Sequence, residues 1–180
     1  MKKLMIASVI AMAMTAGSAM AEIQKGSQGH LQFTGTVAAT TCDVVVSGDG
    51  AVNDQIQFGV VSADRTVDKE FTVKLKDPNC IAAAARAPAT RASFAWYSPK
   101  LSENGFENQS GTATGSYVEL RAKSGAANAA DREDGITDLN NKIAFTISQA
   151  EQGFQYQATL HAGSTPGSFE TAASYSIVYE

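Results

Sequence analysis

The chain contains few residues of the kinds that catalyse reactions. Its 180 residues include two histidines, His30 and His161, and two cysteines, Cys42 and Cys80. A hydrolytic triad needs a histidine held between a nucleophile and a carboxylate. Neither histidine has a motif around it, and both fall on the solvent faces or at the ends of predicted strands. We therefore expect no catalytic residues and no enzyme activity.

Acidic residues cluster in one stretch, at Asp131, Glu133, Asp134 and Asp138. A calcium loop places oxygen ligands at alternate positions before a glycine, and this spacing does not match it. The glycines of residues 48–50 do not lead from a strand into a helix, as a phosphate-binding loop requires. The sequence thus predicts a solvated acidic loop, no metal site and no cofactor.

The first 21 residues have the features of a secretory signal peptide. Lys2 and Lys3 precede an apolar run, and Ala19-Met20-Ala21 is a small-x-small cleavage site. The run is too short to span a membrane. Cleavage would leave 159 residues, and the loss of two lysines would lower the net charge from −4 to −6. This length predicts one domain, and an acidic chain without basic clusters argues against nucleic acid and anionic membranes as partners.

The two cysteines favour a structural role over a reactive one. A signal peptide directs a chain to an oxidising compartment, where two cysteines allow one bridge. Neither cysteine lies in a motif that thiol chemistry uses. We therefore expect a disulfide between Cys42 and Cys80, which would stabilise the fold by about 4 kcal/mol because it closes a long loop of the unfolded chain.

Most of the remaining chain alternates apolar and polar residues with the period of a half-buried β-strand. The predicted strands are Gly29–Val37, Asp43–Val46, Gln55–Val60, Glu70–Lys76, Ala92–Tyr97, Tyr117–Lys123, Lys142–Ser148, Phe154–Leu160 and Ala172–Glu180. In the third, Ile56, Phe58 and Val60 are predicted to point inward. Trp96 is expected to anchor the core.

Polar stretches separate these strands. Ser98–Ser116 and Ser124–Asn141 are predicted to be long loops, and Ile81–Thr90 an irregular connection with room for one helical turn, because Pro88 prevents a longer helix. Short strands in series with no long helix predict an antiparallel β-sandwich.

Both ends of the expected mature chain are amphipathic strands. Leu31 and Phe33 share one face of the first strand, and Tyr175, Ile177 and Tyr179 share one face of the last. An edge strand exposes unpaired backbone groups unless charge or proline blunts it, and neither end is blunted. The two strands pair either within the domain or between subunits, and the pattern leaves both arrangements open.

Taken together, these features resemble the pilin subunits of chaperone–usher pili, the surface fibres of Gram-negative bacteria. The likeness covers the expected mature chain, and the Asn104–Gln109 region resembles major-subunit pilins of enterobacterial fimbriae. The residues that carry the likeness are Gly29, Leu31 and Phe33 in the N-terminal extension, Thr40-Thr41-Cys42 with Cys80 as the cysteine pair, and Gly167 and Tyr179, which are the fourteenth residue from the end and the penultimate residue.

The resemblance implies an all-β fold, an incomplete immunoglobulin-like antiparallel sandwich that is completed by a donor strand. Residues 22–34 would form the donor-strand extension and residues 35–180 the pilin domain. The donor residues would be Ser27, Gly29, Leu31 and Phe33, with Ser27 at the last pocket to be filled. The acceptor groove and C-terminal motif would comprise Gly167, Tyr175, Ile177 and Tyr179, and binding would occur by strand addition.

The resemblance also implies a function and a set of partners. The chain would be a structural subunit of a fimbria that polymerises by donor-strand exchange at the cell surface and supports adhesion. Its partners would be a periplasmic chaperone, an outer-membrane usher and neighbouring pilin subunits. The alternative is a carbohydrate-binding subunit, in which Trp96, Tyr97 or the Ser98–Ser116 loop contacts a host glycan receptor. A secreted β-sandwich enzyme rests on analogy of fold alone.

Overall fold

Two β-sheets packed against each other form the part of the chain that the structure, a computed structural model, describes: residues 42–84, 89–123 and 125–180. The elements are β1 (Val44–Gly48), β2 (Ala51–Val52), β3 (Gln55–Ile56), β4 (Thr66–Leu75), α1 (Cys80–Ala84), β5 (Arg91–Tyr97), β6 (Leu101–Ser102), β7 (Gly105–Glu107), β8 (Tyr117–Ala122), β9 (Lys142–Thr146), a 3₁₀ turn (Ala150–Gln152), β10 (Phe154–His161) and β11 (Ser174–Tyr179). The expected signal peptide (1–21), the expected extension (22–34) and the predicted strand Gly29–Val37 lie outside the described residues.

All strand pairs are antiparallel, as the sequence predicts for a sandwich. The larger sheet has the order β1-β4-β10-β8-β7-β6, and the smaller sheet has the order β11-β5-β9. Strands β2 and β3 form a separate hairpin. The order is not sequential, because β10 lies between β4 and β8 and the C-terminal strand β11 pairs with β5.

Each long strand buries alternate residues. In β10, Phe154, Tyr156, Ala158 and Leu160 are buried while the residues between them are half-buried. The same alternation buries the predicted inward residues of β4, β5 and β8. Because successive side chains of a strand point to opposite faces, one face of each sheet becomes apolar, and the two apolar faces meet in a single core.

Aromatic rings join the two sheets at the centre of this core. Phe94 of the small sheet lies 5.0 Å from Phe154 of the large sheet, and Trp96 lies 5.4 Å from Tyr156, both in edge-to-face geometry. Edge-to-face pairs add about 0.5–1.5 kcal/mol each to the free energy of burial. Trp96 is 5% exposed, so its predicted role as a core anchor is confirmed.

The expected disulfide between Cys42 and Cys80 is present. Cys42 comes just before β1 and Cys80 begins α1 just after β4, and these two strands are neighbours in the large sheet. The backbone N–H of Lys76 donates to the carbonyl of Asp43 at 2.9 Å, which extends the β1/β4 ladder toward the bridge. The disulfide therefore fastens β1, an edge strand, to the core strand β4.

Two expectations from the sequence are wrong. The predicted strand Gln55–Val60 ends at Ile56, and Val60 is fully exposed rather than buried. Gly59 has φ +75°, a conformation that favours glycine, and the chain turns there so that Val61 packs on the core instead. The predicted loop Ser98–Ser116 contains the hairpin β6–β7.

The helices are short. Strand β4 is followed by the five-residue helix α1, which fits the predicted helical turn. In the ranges 42–84, 89–123 and 125–180, no helix is long and apolar enough to cross a membrane.

We predict that replacing both cysteines by serine lowers the free energy of unfolding by about 4 kcal/mol, because the unfolded chain regains the entropy of a loop with a sequence separation of 38. Denaturant unfolding of the double variant Cys42→Ser, Cys80→Ser measures this. Wild-type protein unfolded under reducing conditions is the control and should match the variant. Equal stability of the variant and the oxidised protein would contradict the prediction.

Candidate functional site

An apolar groove of about 980 Å³ lies between the two sheets, near the start of β11. Its floor is made of core side chains from both sheets, which are Phe71, Trp96, Phe106, Val118, Leu120, Ala158 and Leu160. These residues come from five different strands, so the floor exists only once the sandwich has formed. A groove with this lining suits a chain segment that inserts apolar side chains.

One wall of the groove is the segment of residues 54–61 that follows β2. Ile56, Phe58 and Val61 are half-buried and pack against the core. Gln57 donates its N–H to the carbonyl of Gly50 at 2.9 Å, but residues 58–61 make no backbone hydrogen bond to another described residue.

The opposite wall is an irregular segment, residues 163–172, which we call the strap. It lines the groove through the half-buried Phe169 and several backbone groups. Backbone hydrogen bonds join it to the segment after β7, from Gln109 N–H to Glu170 O at 2.8 Å and from Ala113 N–H to Ser168 O at 3.0 Å. The strap therefore lies against residues 108–116 rather than in a sheet.

Gly167 is part of the strap at a place of very close packing. A Cβ atom on this residue would lie 2.4 Å from Thr112 Oγ1 and 2.5 Å from the backbone nitrogen of Ala113. Since real Cβ contacts are longer than this, only glycine fits here without displacing the backbone. Gly167 thus lets the strap approach residues 112–113.

Strand β11 forms the edge of the small sheet beside the groove. Among the described residues, it pairs with β5 only, from Ser174 to Tyr179. Tyr175 lines the groove, and its ring lies 4.8 Å from that of Trp96. Ile177 and Tyr179 are half-buried and pack against the core farther along the strand. The edge of β11 that faces away from β5 thus has no strand partner within the described part of the chain.

The other sheet edges differ from this one. At β9, Asp131 N–H donates to Ala144 O at 2.8 Å and Thr146 N–H donates to Ala129 O at 2.7 Å, so the segment 129–131 covers the edge. At the far side of the large sheet, β6 is only two residues long. Long unpaired edges within the described chain are thus found at β1 and β11. Folded proteins usually blunt such edges.

The hydroxyl of Tyr179 is a buried polar group with no hydrogen-bond partner among the described residues. Burial, and secondarily the nearby Tyr175, raise the pKa of Tyr179 to about 12. Burial also raises the pKa of Tyr175. Ionisation of these phenols would place negative charge in an apolar environment, so the folded chain holds both in the neutral form.

The predicted site residues are partly brought together. Gly167 and Tyr175 both line the groove, whereas Ile177 and Tyr179 pack on the core beyond it. Ser27, Gly29, Leu31 and Phe33, the expected donor residues, lie outside the described residues.

Sequence reasoning missed Phe58 and Phe169 as wall residues, and of the strap it named Gly167 alone. An isolated phenylalanine among Ser, Thr, Gly and Pro residues in the strap is the one local signal that could have indicated a packing contact.

The residues considered for chemistry do not form a catalytic site in the described part of the chain. His161 stacks on Tyr117 with ring centroids 4.5 Å apart, and its Nε2 atom lies 3.6 Å from Glu119 Oε2, too far for a hydrogen bond. His30 lies outside the described residues. In the acidic loop, Asp131 pairs with Arg91 and accepts from Ala144 N–H. No group of metal-ligating side chains occurs within 42–84, 89–123 and 125–180.

The residues of the glycan-binding alternative are separated. Trp96 is buried and donates its indole N–H to the hydroxyl of Tyr156 at 3.4 Å, so its ring is not an exposed platform for a sugar. Tyr97 is 47% exposed and points to the opposite face of β5. No feature of this arrangement favours a glycan site.

Comparison with known proteins identifies the family. The chain is 37% identical over 181 residues to the F107 fimbrial protein of Escherichia coli, and the alignment covers all of both chains. The chain belongs to this family of fimbrial proteins. It is a structural subunit of a bacterial surface fimbria. No family model matches the sequence.

Two solved structures of pilus subunits are also similar to this fimbrial subunit. One, from a study of a chaperone–usher pilus and its rod uncoiling, has 19% identity and a TM-score of 0.47, and the match covers 88% of this chain and 98% of that one. The other, the P pilus rod subunit PapA, has 15% identity and a TM-score of 0.48, with coverage of 85% and 100%. These two likenesses are weak, and the full-length relative alone decides the family.

We predict that Gly167→Ala lowers the free energy of unfolding by about 1–3 kcal/mol, because the new methyl group overlaps backbone atoms of residues 112–113. Denaturant unfolding measures the loss. Gly135→Ala is the matched control, since its Cβ would meet only the flexible side chain of Glu119, at 3.0 Å. An equal effect of the two substitutions would contradict the prediction.

Tyr179→Phe tests the unpartnered hydroxyl. At neutral pH we expect unchanged or higher stability, because the variant no longer buries an unpaired polar group. The folded pKa of Tyr179, about 12, lies above the usual value of 10. Because the folded pKa is raised, the stability of the protein does not depend on Tyr179 ionisation below pH 10. Stability then falls as the pH rises from 10 through 12.

The variant should accordingly lose less stability than wild type between pH 10 and pH 12, as measured by denaturant unfolding at each pH. Tyr97→Phe, at an exposed tyrosine, is the control and should follow wild type. If Tyr179→Phe shows the same alkaline loss as Tyr97→Phe, the assignment is wrong.

Proposed function

We propose that the groove is the acceptor site for a donor strand and that the subunit polymerises by donor-strand exchange. The observation that carries the proposal is the unpaired edge of β11 beside an apolar groove whose floor belongs to both sheets. An added strand would pair with β11 through its backbone and fill the groove with alternate side chains. The half-buried residues Ile56 and Phe58 would be covered at the same time.

The donor is the N-terminal extension, residues 22–34, of a neighbouring copy of this chain. In this segment Leu31 and Phe33 are two positions apart, so both point to the same face of an extended strand. Burying each would contribute about 1.5–3 kcal/mol. Gly29 continues this face toward the N-terminus, and Ser27 would occupy the last pocket, where a small side chain leaves room for an incoming strand.

The residues of the acceptor are those that the sequence suggested, with additions from the groove. Tyr175, Ile177 and Tyr179 supply the pairing edge of β11, and Gly167 holds the strap in place. The wall residues Phe58 and Phe169 contact the inserted side chains. Together with the family assignment, this arrangement supports a fibre subunit that acts by binding, without catalysis and without a cofactor.

A chain with an open groove needs partners before it reaches the fibre. Exposed apolar surface and an unpaired edge strand favour aggregation. We propose that a periplasmic chaperone fills the groove after removal of residues 1–21, and that an outer-membrane usher directs exchange for the next subunit. Within this proposal, the domain organisation is a signal peptide (1–21), a donor extension (22–34) and a pilin domain (35–180).

The test uses a chain whose own extension cannot fill a groove. In the double variant Leu31→Asp, Phe33→Asp, a charged side chain replaces each apolar donor residue. This variant should form no fibres, as judged by electron microscopy and size-exclusion chromatography. Addition of a synthetic peptide spanning residues 22–34 during refolding should raise its melting temperature by tens of degrees.

The matched control peptide carries Leu31→Asp and Phe33→Asp and should have no effect on the melting temperature. A second control, the double variant Gln32→Asp, Thr34→Asp, places the charges on the opposite face of the strand and should still form fibres. Fibre formation by the Leu31→Asp, Phe33→Asp variant, or a melting temperature that the wild-type peptide leaves unchanged, would refute donor-strand exchange.

A further inference from the structure

Asn108 uses its whole side-chain amide in hydrogen bonds to the strap and to its own turn. Its Nδ2 donates to Ala113 O at 2.8 Å and to Ser168 O at 3.1 Å. Its Oδ1 accepts from Gly111 N–H at 2.9 Å and from Glu170 N–H at 3.0 Å. An amide has two donor hydrogens and two acceptor positions, and all of them are used here. Two of the four bonds go to the strap and two to the turn that contains Asn108 itself.

Gln109 supplies a second amide for the end of the strap next to β11. Its Nε2 lies 2.8 Å from Ser98 Oγ and 2.8 Å from Ala172 O. Ser98 in turn donates its hydroxyl to Ala172 O at 2.8 Å. The last residues before β11 are thus tied to the segment after β5.

The strap lies too close to its neighbour to shift without breaking these bonds. A Cβ at Gly111 would lie 1.9 Å from Ser168 O, which shows how near the two backbones are. Thr112 Oγ1 accepts from Ser168 N–H at 3.1 Å, and Ser116 Oγ accepts from Gly163 N–H at 2.9 Å. Side-chain and backbone bonds from residues 108–116 therefore reach the strap from Gly163 to Ala172.

This attachment matters because the strap is one wall of the groove. Phe169 lies between Ser168 and Glu170, the two strap residues that Asn108 holds, and it lines the groove. Without Asn108, the strap would keep its bonds to the backbone of Gln109 and Ala113 but lose two side-chain bonds, so Phe169 would be held less firmly. The groove would then have a variable width near the start of β11.

We infer that Asn108, assisted by Gln109, is a positioning residue for donor-strand binding. It fixes the position of the strap and therefore the width of the groove near the start of β11. A groove of this width slows dissociation of the donor strand from that end. The inference rests on the proposed function, since it names the residue that sets the width of the same groove.

The first test measures the strap without any donor peptide. Backbone amide hydrogen exchange is compared between the full chain and its Asn108→Ala variant, both carrying Leu31→Asp and Phe33→Asp. We expect protection of the Ser168 and Glu170 amides to fall by about tenfold or more, while that of β4 and β10 stays within about twofold. Asn104→Ala, at an exposed asparagine of the β6–β7 turn, is the control and should leave the strap amides unchanged.

The second test measures how fast a donor peptide dissociates from the groove. The same chains are refolded with a labelled peptide of residues 22–34, and release of the label is followed in excess unlabelled peptide. Asn108→Ala should speed release about tenfold, and Gln109→Ala, a milder change in case Asn108→Ala fails to fold, should speed it several-fold. Asn104→Ala should release the label at the wild-type rate.

Substituted peptides separate positioning from general destabilisation. Two peptides of residues 22–34 carry Leu31→Ala or Phe33→Ala, so each keeps one of the two apolar donor residues. A positioning role predicts that Asn108→Ala speeds release of one peptide more than the other, because only one keeps the side chain that lies against the strap. A purely structural role would speed release of both equally.

The outcomes are distinguishable. Unchanged exchange of the strap amides in Asn108→Ala, or equal acceleration for both substituted peptides, overturns the inference and leaves donor-strand binding intact. If wild-type groove binds no peptide at all, the proposed function fails, and the role of Asn108 in gripping a donor strand fails with it.

Discussion

The structure depends on the way in which an incomplete sandwich covers its apolar faces. A β-sandwich is stable when the inward faces of both sheets are buried against each other and the edge strands are paired or protected. Here the smaller sheet has three strands facing a sheet of six, so part of the larger sheet's apolar face opens into the groove. The edge of β11 borders that opening. Within the described residues, this difference accounts for the groove and for the edge of β11 that has no strand partner, and the donor strand that we propose would occupy both.

The centre of the fold is a cluster of aromatic rings that also supplies the groove floor. The ring of Phe94 lies within about 6 Å of those of Phe154 and Tyr156, and Phe154 and Tyr156 are fully buried. Trp96, which lines the groove, packs on Tyr156 with ring centroids 5.4 Å apart. At one edge, the Cys42–Cys80 bridge ties β1 to β4. The groove is therefore built directly on the core that joins the two sheets.

The two walls of the groove are built in different ways. Residues 58–61 make no backbone hydrogen bonds to the rest of the described chain, whereas the strap is bonded from Gly163 to Ala172. In the strap, backbone groups of Gly163, Ser168, Glu170 and Ala172 are already paired. Under the proposed mechanism, an inserted strand would pair with β11, and the strap would shape the groove.

Strictly alternating strands can be predicted from the sequence, because burial of every second residue is a local property. Phe71, Val73 and Leu75 in β4 and Ala92, Phe94 and Trp96 in β5 are buried as their spacing predicts. The sequence also predicts the disulfide, since two cysteines allow one bridge. The resemblance to pilins, carried by a few residues at the two ends, pointed to the family that the full-length relative shows.

Features that depend on contacts between distant segments do not follow from local sequence. The pattern predicts a loop where the structure has the hairpin β6–β7, although Asn104-Gly105 between Leu101 and Phe106 is a turn signal. The pattern also places Val60 in the core, but the turn at Gly59 exposes it. The strap has no periodic pattern in its sequence. Its position is set by side-chain amides some 60 residues away in the sequence. Strand periodicity is encoded locally, whereas the walls of the groove are set by long-range hydrogen bonds that no short stretch of sequence records.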